Sequence, residues 1–221
     1  NLKGADLQFC TLKGAYLEGA NLEGADLHET ELSGANLKGA RLYKVTGENA
    51  HIFDTNLEGA DLREAYLGQA EMQRSKLQGA KLQGANLEQV DLQDAKLKGA
   101  NLEGAYLEYT DFRGADLQGA NFENANLHKA FLQGADLKGN NLKGANLTNT
   151  KLTEADLTNA DLWGNNLRGA YLYTAKLRRV NAQYADFQGA YLEKANLQGA
   201  ILYKANLTKA NLQGANLKGA N

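Results

Sequence analysis

The chain contains no proline in 221 residues, and only one cysteine, one methionine and one tryptophan. Each scarcity excludes something. Without proline, no turn is set by a locked φ and no segment reads as a polyproline spacer. A lone thiol, Cys10, can form neither an intrachain disulfide nor a zinc site of paired cysteines. The three histidines, His28, His51 and His128, lie too far apart to share a metal. Neither sign of charge is in excess, with 24 Lys and Arg against 26 Asp and Glu. That balance makes direct nucleic-acid binding an unfavoured reading. Polar residues recur within every five, so no apolar run approaches the roughly 20 residues that cross a bilayer. No serine stands near a histidine and an acid as a nucleophile requires, and the glycines spell neither a P-loop nor a dinucleotide fingerprint. No catalytic residue, metal ligand or cofactor is assigned, and the chain is read as not an enzyme.

What is present is a frame that never slips. Every fifth residue from Leu2 to Leu217 belongs to one class: of 44 sites, 37 are Leu, three Phe, one Ile and one Met. Only Gly47 and Ala182 are small. Two residues before each site lies a second class, 33 of whose 44 members are Ala. Five residues turn an α-helix by about 500°, so the Leu stripe would spiral around it. On a continuous strand an odd period sends successive Leu residues to opposite faces. A short extended Ala-x-Leu step followed by a corner satisfies the pattern, with Ala and Leu inward and the middle residue outward. Of the 24 glycines, 22 lie two residues after a Leu site, where a type II turn needs φ > 0. Units with Asn, Lys or Gln at that position are expected to use a different turn.

The exceptions suggest the pitch. Cys10, Thr30, Val90, Thr110 and Thr150 replace Ala at positions congruent modulo 20, and so do Ile52, Met72 and Phe112 for Leu. Gly19, Gly39, Gly59, Gly79, Gly99, Gly119, Gly139, Gly199 and Gly219 form a column of the same spacing. Four sides of five residues follow, giving about eleven coils and a rod about 50 Å long at a strand spacing of roughly 4.8 Å.

Units such as Ala25-Asp26-Leu27-His28-Glu29 and Ala35-Asn36-Leu37-Lys38-Gly39 resemble the A-(D/N)-L-x-x repeat of the pentapeptide-repeat family, in the style of its cyanobacterial members. The resemblance covers the whole chain. It implies an all-β fold, a right-handed quadrilateral parallel β-helix, with residues 1–221 as a single domain. The residues themselves explain the second class: Ala is small because two inward residues per side share a narrow interior. Val45 and Val180 precede the small Gly47 and Ala182, an exchange that roughly conserves volume. Residues 45–55 are the least regular stretch and are expected to bulge a corner. No terminal cap is evident, and the start in mid-repeat suggests an excised region or ends that pair with another copy.

Three outward features stand out. Asp116, Asp136 and Asp156 stack in one column, where like charges across strands repel. Phe131, Tyr171 and Tyr191 share another column, with Tyr173 beside them, while Trp163 and Tyr203 share a third, with Tyr184 and Ile201 alongside. Such aromatics mark a candidate interface, self-association through the C-terminal coils being the first candidate. Asn140 and Asn165 fall at interior sites and are expected to bond corner backbone groups.

The function expected is a non-enzymatic scaffold or protein-interaction module of unknown partner. The alternative implied by the resemblance is a DNA-mimicking protein that binds DNA gyrase or topoisomerase, although the charge of this chain is not the strongly negative one such mimicry needs. No targeting segment is seen, so the sequence leaves the compartment open, with a cytoplasmic setting favoured.

Overall fold

The computed structural model describes residues 1–221 and contains no helix. Every parallel bridge joins residue i to residue i+20, beginning with Asp6 to Asp26 and ending with Asn196 to Asn216. Bridges recur every five residues, so each coil of 20 residues carries four units.

The hydrogen bonds explain why the repeat has the composition it has. Asp26 donates its main-chain N–H to Ala5 at 2.9 Å, and its carbonyl accepts from Leu7 at 2.9 Å. The Leu carbonyl of each unit accepts from the N–H three residues on, as Leu2 does from Ala5 at 3.0 Å. The corner N–H reaches the next coil, as Gly4 does to Glu23 at 2.9 Å. One N–H per unit remains, that of the residue after Leu. The Asp or Asn side chain two residues earlier accepts it: Asp26 from His28 at 3.1 Å, Asn101 from Glu103 at 3.0 Å. The frequent Asp or Asn between Ala and Leu thus completes the backbone accounting that a buried or half-buried chain requires.

Inside, Leu and Ala, with a few Val, Phe, Ile and Met, form one core of 64 buried residues. Full burial of each Leu contributes roughly 1.5–3 kcal/mol. Thr30, Thr55, Thr110 and Thr150 hide their hydroxyls by donating to carbonyls of the preceding coil, Thr110 to Leu87 at 2.7 Å. Phe112 and Phe122 meet edge to face within the interior, centroids 6.1 Å apart.

Three expectations are corrected. First, every corner adopts one conformation: the residue two after each Leu site has positive φ whether or not it is glycine, for example 64° at Gly4, 58° at Asn49 and 55° at Lys129. The interior spacing and the ladder fix the corner, and the non-glycine residues bear the strain. Second, residues 45–55 do not bulge. Thr46 pairs with Tyr66 and His51 with Glu71, as in any other coil. A Cβ on Gly47 would lie 2.9 Å from Leu67 Cδ2 and 3.3 Å from Leu27 Cβ, so side chains of the neighbouring coils occupy the volume a Leu would take. Third, Asn140 bonds backbone, but Asn165 does not: both atoms of its buried amide lack a hydrogen-bond partner in the protein.

Candidate interaction surfaces

Each surface residue stands in a column defined by the 20-residue pitch, and its neighbours above and below decide its chemistry. The acidic column illustrates this. Lys138 Nζ lies 3.1 Å from Asp136 and 3.4 Å from Asp156, and Lys176 Nζ lies 3.3 Å from Asp156. Burial, the largest single influence, pushes the Asp156 carboxyl up. The N–H and side chain of Thr158, with Lys176 and Lys138, outweigh it and hold the group below its ordinary value. Asp116 has no such ion partner, and its side chain accepts from Gln118 N–H at 3.2 Å. The column is also broken. From Asp6 to Asn216 the bridge ladder fails once, between Asp116 and Asp136.

The aromatic residues divide into two clusters, two pentapeptide units apart around the coil. In the first, Tyr171 and Tyr191 stack with centroids 4.8 Å apart and planes 14° from parallel. Lys151 pairs with both Phe131 and Tyr171 along the ladder and sets its ammonium 3.3 Å from the Tyr171 ring centre. Phe131 and Tyr171 stand two coils apart in their column, and a lysine joins them. Tyr173 sits outward, its hydroxyl accepting from Lys194 at 3.2 Å. In the second cluster, Tyr184 meets Trp163 at 5.7 Å and Tyr203 at 5.9 Å, both edge to face, and Ile201 lies exposed nearby.

The surface is otherwise shallow. One concavity of about 440 Å³ is lined by Tyr109, Lys129, Phe131, Asn149, Lys151 and Tyr171. The sequence reading missed Tyr109, Lys129 and Lys151. The signal was available: residues 109, 129 and 149 stand two positions before 111, 131 and 151, so their columns flank one groove. A second hollow, of about 310 Å³, opens where Gly68 leaves a gap between Glu48 and Glu88. The histidines are each held by a neighbour: His28 by Asp26, His51 by Glu71 at 3.0 Å and His128 by Thr148 at 2.7 Å.

A family model for pentapeptide repeats matches in eight copies, over residues 1–46, 50–89, 85–124, 120–159, 155–193 and 185–221. The chain belongs to the pentapeptide repeat family. Within it, the chain is similar to HetL, a pentapeptide repeat protein involved in heterocyst differentiation regulation in the cyanobacterium Nostoc sp. strain PCC 7120. The two are 35% identical with a TM-score of 0.64, over 94% of this chain and 88% of HetL. It is 31% identical to a pentapeptide repeat protein from the Arabidopsis thaliana thylakoid lumen, over 52% of this chain and 70% of that one, with a TM-score of 0.24. QnrB1, a plasmid-mediated fluoroquinolone resistance protein, is 20% identical over 89% of each chain, with a TM-score of 0.45. A comparison with curated proteins returns no match. The structural neighbours of this pentapeptide repeat protein are of the right-handed β-helix type, and no helix in it is long and apolar enough to cross a membrane.

Proposed function

We propose that this pentapeptide repeat protein is a non-enzymatic scaffold that binds a partner protein through its aromatic columns, displayed on a right-handed, four-sided rod of about eleven coils. The observation that carries the reading is the Tyr171–Tyr191 stack, which leaves 44% of Tyr191 exposed. Partly exposed, pre-stacked rings on a rigid ladder offer apolar area that has little conformational freedom left to lose on binding. A relative described by regulation fits this reading. Affinity capture with wild type and with a Tyr171→Ala, Tyr191→Ala double variant tests it. Partners recovered by wild type and lost with the variant support it; equal recovery by both contradicts it.

The second cluster is the surface proposed for self-association. Trp163 is the only tryptophan, so its emission reports on that face directly. A blue shift with rising protein concentration, absent in Tyr203→Ala, supports association there, and an invariant spectrum contradicts it.

The DNA-mimic alternative needs a continuous anionic track. Lys138 and Lys176 neutralise much of the column of Asp116, Asp136 and Asp156, and Arg113 pairs with Asp111 in the column of Glu71, Asp91 and Asp111. DNA gyrase supercoiling, with or without a fluoroquinolone, is expected to be unaffected by micromolar protein; protection of the enzyme would restore the alternative.

A further inference from the structure

The concavity beside the stacked tyrosines has a charge unlike the surface around it. The hollow at Gly68 is lined by Glu48 and Glu88 and by no lysine, whereas this one holds two lysines, and cations such as Lys38, Lys44, Arg74 and Arg113 are each matched by a carboxylate. Lys129 and Lys151 enter no ion pair anywhere in the molecule. Their ammonium groups face rings instead. Lys129 donates to the Tyr109 hydroxyl at 2.8 Å and lies 5.0 Å from that ring's centre, and Lys151 lies 3.3 Å from the centre of Tyr171. No carboxylate lines the hollow. Two half-buried cations on adjacent coils are thus held without counter-ions, between three aromatic walls.

We infer that this groove receives an acidic segment of a partner protein, two carboxylates meeting Lys129 and Lys151 while an apolar side chain lies against Phe131 and Tyr171. The inference rests on the protein-interaction reading above and names its chemistry. Complementarity supports it: each lysine already near a ring loses little by adding a carboxylate, and the aromatic walls lower the local screening by water. A nucleic-acid strand is the poorer fit. Its affinity grows with a continuous run of cations, and here the same column continues from Phe131 into Asp111 and Asp91.

The test uses the full chain and a fluorescein-labelled peptide, Gly-Glu-Phe-Asp-Glu-Gly, followed by anisotropy. Saturable binding is expected, weakened about tenfold or more by a Lys129→Gln, Lys151→Gln double variant and by added salt. The same peptide with Gln and Asn for its acids is expected not to bind. Both lysines are surface groups, and an unchanged melting curve confirms that the variant is folded. Undiminished binding by the double variant, or none by wild type up to about 1 mM peptide, a Kd at which binding is worth only about 4 kcal/mol, overturns the inference. Tighter binding of a single-stranded oligonucleotide, or full displacement of the peptide by an equal concentration of inorganic phosphate, also overturns it. If affinity capture depends on Tyr171 and Tyr191 while the peptide fails to bind, the interaction reading stands and only the acidic assignment falls.

Discussion

Asn140 donates its side-chain amide to the main-chain carbonyl of Leu117 at 2.9 Å and accepts from the N–H of Gly119 at 3.0 Å. This happens at the one internal gap of the ladder. The N–H groups of Leu117 and Asp136 make no main-chain bond there, whereas Leu137 and Asp156, one coil on, bond at 2.8 and 2.9 Å. Threonine at equivalent interior sites takes the same carbonyl without opening the ladder, because its hydroxyl is too short to reach the second N–H. The longer amide acts as a wedge, and the unpaired charge of Asp116 beside Asp136 adds repulsion. Asn140→Thr is therefore expected to stabilise the protein by about 1–2 kcal/mol in urea unfolding, as main-chain bonds re-form. In hydrogen exchange, the amides of Leu117 and Asp136 should exchange faster than those of Leu137 and Asp156 in wild type, and the difference should vanish in the variant.

The corners give a second test. Thr174 is β-branched yet holds φ at 55°. Thr174→Gly is expected to raise stability by about 1 kcal/mol, while Gly189→Thr, at φ 66° and with open space around its missing Cβ, should lower it by about 1–2 kcal/mol. Thermal unfolding of both variants measures the effects. Equal responses of the same sign would show that backbone strain does not govern the corner.

Restoring the consensus at Gly47 should fail. A Cβ there would meet Leu67 Cδ2 at 2.9 Å and Leu27 Cβ at 3.3 Å. Gly47→Leu is expected to cost about 1–3 kcal/mol by overpacking, although Leu fills nearly every other site of that class. Denaturant midpoints at constant slope would register the loss.

Acid should weaken the acidic column. The Asp156 carboxyl is held below its ordinary value: burial opposes ionisation, but Thr158, Lys176 and Lys138 favour it. A group depressed on folding stabilises the native state above its unfolded pKa of about 3.9, and that contribution is lost as pH falls through the lower folded value. Unfolding curves between neutral pH and about pH 3 should show wild type losing more stability on acidification than Asp156→Asn.

Much of the fold was legible because burial repeats with the frame. The Leu and Ala classes marked the interior, and Thr30, Thr110 and Met72 revealed a pitch of 20 that the bridges reproduce. The corners were legible only in part. Glycine advertises positive φ, but Lys44 and Tyr184 adopt it under compulsion from their neighbours, leaving no trace in residue type. The regular course of residues 45–55 was hidden for a similar reason, since the volume missing at Gly47 is filled by Leu67 from the next coil. At the surface, columns placed Tyr171 on Tyr191 but could not show that Lys151 turns its ammonium onto a ring, nor that Asn140 reaches Gly119 where Asn165 finds no partner. Those outcomes depend on side-chain direction and not on spacing.

The 20-residue ladder underlies every column and therefore every surface described. Interstrand proton–proton contacts in solution NMR test it most directly, along the outward positions 126, 146, 151, 166, 171 and 191. The account predicts contacts joining Asn126 to Asn146, Asn146 to Asn166 and Tyr171 to Tyr191. Contacts joining residues 15 or 25 apart instead would contradict it.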